Sequence, residues 1–278
     1  MNAVEDDNVG YMQDATNERP PFLSSRWSGF GCAGVGCLSY ALFAIAQIVA
    51  FTIVLFKAHP DAPRLFTTVP PPHDLQQTLL TWTTQLSTAQ NLFVFAVVGD
   101  GIMIVVALVL ARFALGANPR QLGLSAKVTP GQIFTGVLIG IALVIVSQIV
   151  TGLQAKLFGP HPEAVAELLK THHGTISFLF DLASVCAIAP FAEELLFRGV
   201  VFAGLSQRMP LFAAALLSGL IFGAAHLDRW NIAPLAVIGV GLAYLYYRTG
   251  SLWPNIAAHA TVNAVALIAV YYLPQYAG

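Results

Sequence analysis

Charge is what this sequence has least of. Only 10% of its 278 residues are Asp, Glu, Lys or Arg, against about 25% in ordinary soluble domains. A soluble globule of this length needs a charged skin, and this chain has too little charge to make one. Thirteen basic residues stand against fourteen acidic ones, for a formal net charge of −1. That balance excludes nucleic acid as a partner recognised through bulk charge. Cysteine is also scarce. Cys32, Cys37 and Cys186 lie in apolar sequence, at spacings that fit neither a zinc knuckle nor a disulfide framework, and they read as small membrane-helix residues. The first residues, through Arg26, are polar and acidic and lack a basic stretch followed by an apolar one. A cleaved signal peptide is therefore not expected. Residues 1–28 read as a flexible polar tail, with the first membrane helix as its own insertion signal. No internal repeat, low-complexity tract or second soluble domain is evident.

What the chain has is apolar sequence. Hydrophobic residues make up 56% of it, and its mean hydropathy is +0.71. About 20 apolar residues cross a hydrocarbon core as a helix. By that measure the sequence predicts spans over Gly31–Phe56, Leu92–Leu115, Ile133–Leu157, Ile176–Leu205, Leu211–Leu227, Ile232–Tyr247 and Leu252–Leu273. The expected fold is all-α, a polytopic transmembrane helical bundle of about seven spans, or eight with a re-entrant or interfacial helix. Residues 29–278 form a single transmembrane domain, and 176–273 are its catalytic helices. The very short links between the last four spans imply antiparallel neighbours. Arg and Lys in the loops favour a cytoplasmic N-terminus by a thin margin.

Two pieces between spans read as interfacial. In Asp74–Gln90, Leu75, Leu79, Trp82 and Leu86 recur at helical spacing, as in a helix lying on the membrane or packed on a loop. In Pro162–His173, Val165, Leu168 and Leu169 share a face, and His172 and His173 are expected at a solvent-exposed helix end. Asp181 is expected at the interface. Asp100 lies mid-span between Gly99 and Gly101, where it lines a cavity, lines a proton path or pairs with another helix.

An ionisable group at bilayer depth costs about 2.5–3.5 kcal/mol on insertion scales, so each one there needs a reason. They gather in the last hundred residues. Pro190-Phe191-Ala192-Glu193-Glu194-Leu195-Leu196-Phe197-Arg198 sets two adjacent carboxylates in an apolar span. On a helix they point about 100° apart. Glu194 and Arg198 are four apart and pair in the favourable acid-first order. Glu193 is left without a local cation, as a candidate general base. Pro190 is expected to kink the helix just before the pair. Phe222-Gly223-Ala224-Ala225-His226 ends an apolar run of small residues that let helices approach closely. His259 and Asn263, four apart, share one helical face inside the last span. A carboxylate, two imidazoles and an amide can activate a water and stabilise an oxyanion, which amide hydrolysis requires. No serine or cysteine has a convincing partner, so water is the expected nucleophile.

Glu-Glu-x-x-x-Arg, Phe-x-x-x-His and His-x-x-x-Asn, in this order on apolar helices, resemble the CPBP family of type II CAAX prenyl endopeptidases and bacteriocin-processing proteins. The resemblance covers roughly Ser184 to Val265, and Arg120-Gln121-Leu122-Gly123-Leu124 is similar to the family's loop before the catalytic half. It implies that Glu193 and His226 activate the water and that His259 and Asn263 line the oxyanion hole. It further implies that Glu194, Arg198 and Phe222 organise the site. The implied enzyme is an intramembrane endopeptidase of a prokaryotic cytoplasmic membrane, acting on a peptide or a lipidated, CAAX-type protein among membrane lipid. No cofactor is favoured. Zinc is the alternative, since His226, His259 and a glutamate are plausible ligands, although Asn is a poor one and no His-Glu-x-x-His occurs. Two further alternatives are a non-catalytic scaffold or bacteriocin self-immunity protein of the same fold, and a proton-relaying transporter. The sequence fixes no oligomeric state.

Overall fold

The computed structural model describes residues 29–68, 74–125, 127–161 and 164–273. The tail expected over residues 1–28 lies outside them. The described residues form helices joined by short turns: α1 (Gly29–Ala58), α2 (Ala62–Thr67), α3 (Leu75–Leu86), α4 (Ala89–Ala114), α5 (Pro130–Phe158), α6 (Ala164–Leu169), α7 (Gly174–Leu205), α8 (Leu211–Ala225), α9 (Ile232–Thr249) and α10 (Leu252–Tyr272). Six of them, α1, α4, α5, α7, α9 and α10, are long and apolar enough to cross a membrane, and α8 is a shorter apolar helix of 15 residues. The molecule is therefore the all-α polytopic bundle that its hydropathy predicts, with one of the seven expected spans cut short. The chain leaves α8 after Ala225 and turns through Leu227, whose φ is +57°. His226 thus sits at the helix end and not inside it.

Helix starts are set locally. Thr129 and Gln132 form a reciprocal capping box with Pro130 at the first turn of α5, which satisfies amides that have no intrahelical acceptor. Thr88 caps α4 and Ser251 caps α10. Gly250, at φ +61°, closes α9 in the left-handed conformation that glycine adopts without strain.

Helix α7 is the axis. Every residue from Glu194 to Gly204 is buried, as expected of a helix wrapped on all sides. Leu195, Leu196 and Phe202 share one core with Met103 and Ala107 of α4, Phe222 of α8 and Tyr246 of α9. The outer helices instead turn apolar side chains outward, among them Ile48, Phe113, Ile149 and Phe212. Such a surface suits lipid and not water. Small residues bring α8 and α9 together. A Cβ on Gly219 would lie 2.6 Å from the Ala236 carbonyl, and one on Gly223 2.6 Å from that of Ile232, so α8 and α9 meet backbone to backbone.

The helix that carries both glutamates continues through Pro190 without breaking. Ser184–Ile188 and Glu194–Phe202 adopt the wider π-helical pattern on either side. The wider turn before Pro190 absorbs its missing amide and ring, so the helix runs on through the residue predicted to kink it. The loop at Arg120–Leu124 docks on the start of α10. Leu252 donates its amide to the Gly123 carbonyl at 3.0 Å, and the Trp253 indole donates to the Leu124 carbonyl at 3.1 Å.

Two expectations at the other end of the bundle are corrected. Asp181 is fully buried and His172 is 7% exposed. They face each other at 2.8 Å, and the Tyr271 hydroxyl donates to Asp181 at 2.7 Å. Only His173 is exposed as predicted.

Candidate active site

The π-helical stretch of α7 turns Glu194 and Arg198 into the bundle, where both side chains are wholly inaccessible. Arg198 donates from Nη1 to Glu194 Oε1 at 2.9 Å and from Nη2 to the Gly239 carbonyl at 3.3 Å. The guanidinium also lies 4.6 Å from the Phe222 ring centroid, a favourable placement for a cation on a π face. The predicted four-residue pair thus forms and is compensated on three sides. A buried pair survives only with such further partners.

Glu194 accepts more than that pair. His259 Nδ1 stands 2.9 Å from its Oε1, and Asn255 Nδ2 donates to its Oε2 at 3.2 Å and to the Leu242 carbonyl at 2.7 Å. Asn255 is not among the sequence-predicted residues. Its signal is present all the same, because Asn255, His259 and Asn263 recur every four residues along one face of α10.

Glu193 is different. Its side chain is 21% exposed, and its Oε2 is a buried oxygen without a hydrogen-bond donor. The nearest cationic candidate is His259, whose Nε2 lies 3.8 Å away. That is too long for a hydrogen bond. The Glu194 contact at Nδ1 fixes the His259 ring and leaves Nε2 turned toward Glu193. The histidine in contact with Glu193 is therefore His259.

His226 is placed by Phe222. Its Nδ1 lies 2.9 Å from the Phe222 carbonyl, an oxygen that can only accept, so Nδ1 carries the hydrogen and Nε2 is an acceptor in the neutral ring. Its ring stands edge-on to Phe222 at 4.9 Å, and His259 meets Phe222 at 5.7 Å. Phe222 is 1% exposed and is the shared wall of both imidazoles and Arg198. His226 itself is exposed. Asn263, half-buried, donates through Nδ2 to the Val185 carbonyl at 2.7 Å in the neighbouring helix. Of the four candidate residues, Glu193 and His259 face each other, His226 shares the Phe222 ring with His259, and Asn263 is bonded to the Val185 carbonyl.

A zinc reading needs three convergent donors. Among the described residues no three His, Cys, Asp or Glu side chains are grouped to hold a metal ion.

Residues 175–265, which contain all these side chains except those of the N-terminal half, match the family model "Type II CAAX prenyl endopeptidase Rce1-like". The chain is also similar to YdiL of Bacillus subtilis (strain 168), a protein provisionally named a membrane peptidase. The two are 35% identical over 81 residues, which is 29% of this chain and 33% of that relative. The match therefore spans about a third of the curated relative. No solved structure matches significantly. The glutamate pair, both histidines and Asn263 all lie inside the matched residues, so the similarity to the Rce1-like family falls on α7–α10.

Proposed function

We propose that this protein is an intramembrane endopeptidase that hydrolyses a peptide bond in a membrane-associated substrate through water activated by Glu193. The observation that carries this reading is the unsatisfied Oε2 of Glu193. A buried acceptor without a donor is costly, and its retention beside a fully compensated Glu194 favours a functional role. In the proposed step, a water near Glu193 and the Nε2 of His226 gives one proton to the Glu193 carboxylate. The resulting hydroxide adds to the scissile carbonyl carbon. His259 and Asn263 stabilise the oxyanion, and Glu193 returns the proton to the amine nitrogen as the C–N bond breaks. Glu194 and Arg198 hold His259, and Phe222 supports both imidazoles. This route needs no metal. The lipid-facing surface and the family's name favour a lipidated CAAX-type substrate over a soluble one.

The test is cleavage by the detergent-purified chain of a prenylated CAAX peptide, alongside unprenylated membrane peptides. Glu193→Ala and His226→Ala should each abolish it, and exhaustive chelation should leave the parent active. Equal cleavage by parent and both variants would overturn the mechanism, and loss on chelation with recovery on zinc would restore the metal reading.

A further inference from the structure

The turn that follows α8 is tightly built and leaves one side chain outside. His226 caps the helix, and Leu227 takes the next position at φ +57°. Glycine or asparagine usually fills that position, because a larger side chain crowds the left-handed backbone. A bulky residue there persists only where its surroundings hold it. Among the described residues, no other non-glycine residue has a positive φ.

The surroundings hold Leu227 from both sides. Ahead of it, the Tyr40 hydroxyl of α1 donates to the Ala225 carbonyl. The amides of His226 and Leu227 donate to the carbonyls of Gly223 and Ala224 at 3.3 and 3.1 Å. Behind it, the Asp228 carboxylate accepts from the Trp230 amide at 3.0 Å and from the Asn231 side chain at 3.1 Å. Trp230 is in turn strapped to the end of α5. Gln154 donates to its carbonyl at 3.2 Å, and its ring stacks on that of His161 at 3.4 Å.

This strap fixes where Leu227 projects and gives its side chain nothing to rest on. Leu227 is 88% exposed, more than any other large apolar residue described. An apolar residue in a left-handed cap commonly packs back on the last helical turn, and that exposure excludes such packing here. Contact with acyl chains needs no strained backbone, since Ile48 and Ile149 turn outward from regular helix. Asp228 and Arg229 also follow Leu227 directly, and charges are costly against acyl chains. The neighbour that gives the position a use is His226, which is itself exposed. Consecutive Cα atoms lie about 3.8 Å apart, and an extended peptide advances about 3.3 Å per residue. A peptide whose scissile bond lies at His226 therefore brings its next side chains to Leu227.

We propose that Leu227 is a specificity-determining residue, which contacts an apolar substrate side chain one or two residues from the scissile bond. The role rests on the peptidase reading above, in which His226 faces the water at that bond. Because the turn is rigid before the substrate arrives, little order is lost when the contact forms. An apolar side chain gains affinity there, and a polar one does not.

The experiment uses the detergent-purified full chain and a membrane peptide whose scissile bond has been mapped by mass spectrometry. Leu is exchanged for Ser at the substrate positions flanking that bond. The parent should favour the Leu peptide about tenfold in kcat/KM, as expected for one apolar group in a pocket. Leu227→Gly and Leu227→Asn, whose new residues accept a left-handed backbone, should abolish the preference by raising KM for the Leu peptide. Leu227→Met should keep most of it, and Leu227→Gly should melt no lower than the parent. Binding of the same peptides with the scissile amide reduced to an amine should lose its preference in parallel. A parental preference in Leu227→Gly, or a loss shared equally by both peptides, would overturn the proposal. Early melting of both Leu227→Gly and Leu227→Asn would also overturn it, by making Leu227 a prop of the turn. Should Glu193→Gln abolish cleavage while Leu227→Gly keeps the parental preference, this proposal falls and the peptidase reading stands. Should Glu193→Gln cleave like the parent, the peptidase reading falls, and binding of the reduced peptides still judges Leu227. A chain that cleaves no peptide removes both.

Discussion

Two carboxylate–histidine clusters stand in this bundle, and they differ in what they leave open. Toward the end of α10, Oδ2 of Asp181 accepts from Tyr271 and faces His172 Nδ1, while His172 Nε2 meets the Ser87 carbonyl at 2.8 Å. Both acid and imidazole are buried. This cluster joins α7, α10 and the turn before α4; Asp181 Oδ1 lacks a donor as well, but the acid and the imidazole are both sealed from solvent. In the other cluster, Glu194 is equally sealed, but Glu193 joins a donorless oxygen to a partly exposed side chain. Adjacent residues in one helix thus divide the work. A compensated carboxylate holds helices together, and an uncompensated one beside a fixed imidazole is available to react.

The comparison can be broken at four places, and the largest effect is expected at Glu194. Glu194→Ala strands the buried Arg198 charge, which should cost about 3–5 kcal/mol of stability. Thermal unfolding in detergent reads this directly, and a Glu194→Leu, Arg198→Met double variant should regain much of the loss. A parental melting curve for Glu194→Ala would erase the distinction between the two glutamates. Next, Glu193→Gln should leave the melting curve unchanged while lowering kcat about 10³-fold, roughly 4 kcal/mol of activation. A variant that melts early but cleaves normally would reverse the assignment. Third, Asp181→Asn should weaken the sealed cluster by about 1–3 kcal/mol, as expected for an imperfectly satisfied buried group. Cleavage per folded molecule should stay parental, measured on the fraction that survives purification.

How much of this was legible in the sequence differs between the two clusters for a physical reason. The spans were legible because length and hydropathy are local properties. The Glu194–Arg198 pair was legible because four residues bring side chains together on one helix, as its 2.9 Å contact bears out. The sealed cluster was not. Asp181 reads as interfacial until Tyr271, ninety residues away, is brought to it. The same holds inside the candidate site, where the choice of His259 over His226 as the neighbour of Glu193 depends on how α7 and α10 pack. Asn255 was within reach of the four-residue rhythm of α10, and its burial gives it a partner that no spacing names. The reading of α8 as a full span ran two residues too far. An apolar count does not register that the chain turns at Leu227.

The smallest expected effect sharpens the comparison most finely. Tyr271→Phe removes one hydroxyl from Asp181 and leaves the ring contact with Phe178 in place, edge-on at 5.2 Å. Hydrogen bonds between helices in membranes average about 0.6 kcal/mol, because the unfolded chain in lipid also finds partners. His172 still faces the same oxygen after the change. The melting curve should therefore move by about that amount, and kcat should not move at all. A fall in kcat with an unchanged melting curve would mean that the sealed cluster sets the register of α7 and α10 at Val185 and Asn263, where their 2.7 Å bond crosses. The two clusters would then be one device, and the division between holding and reacting would fail.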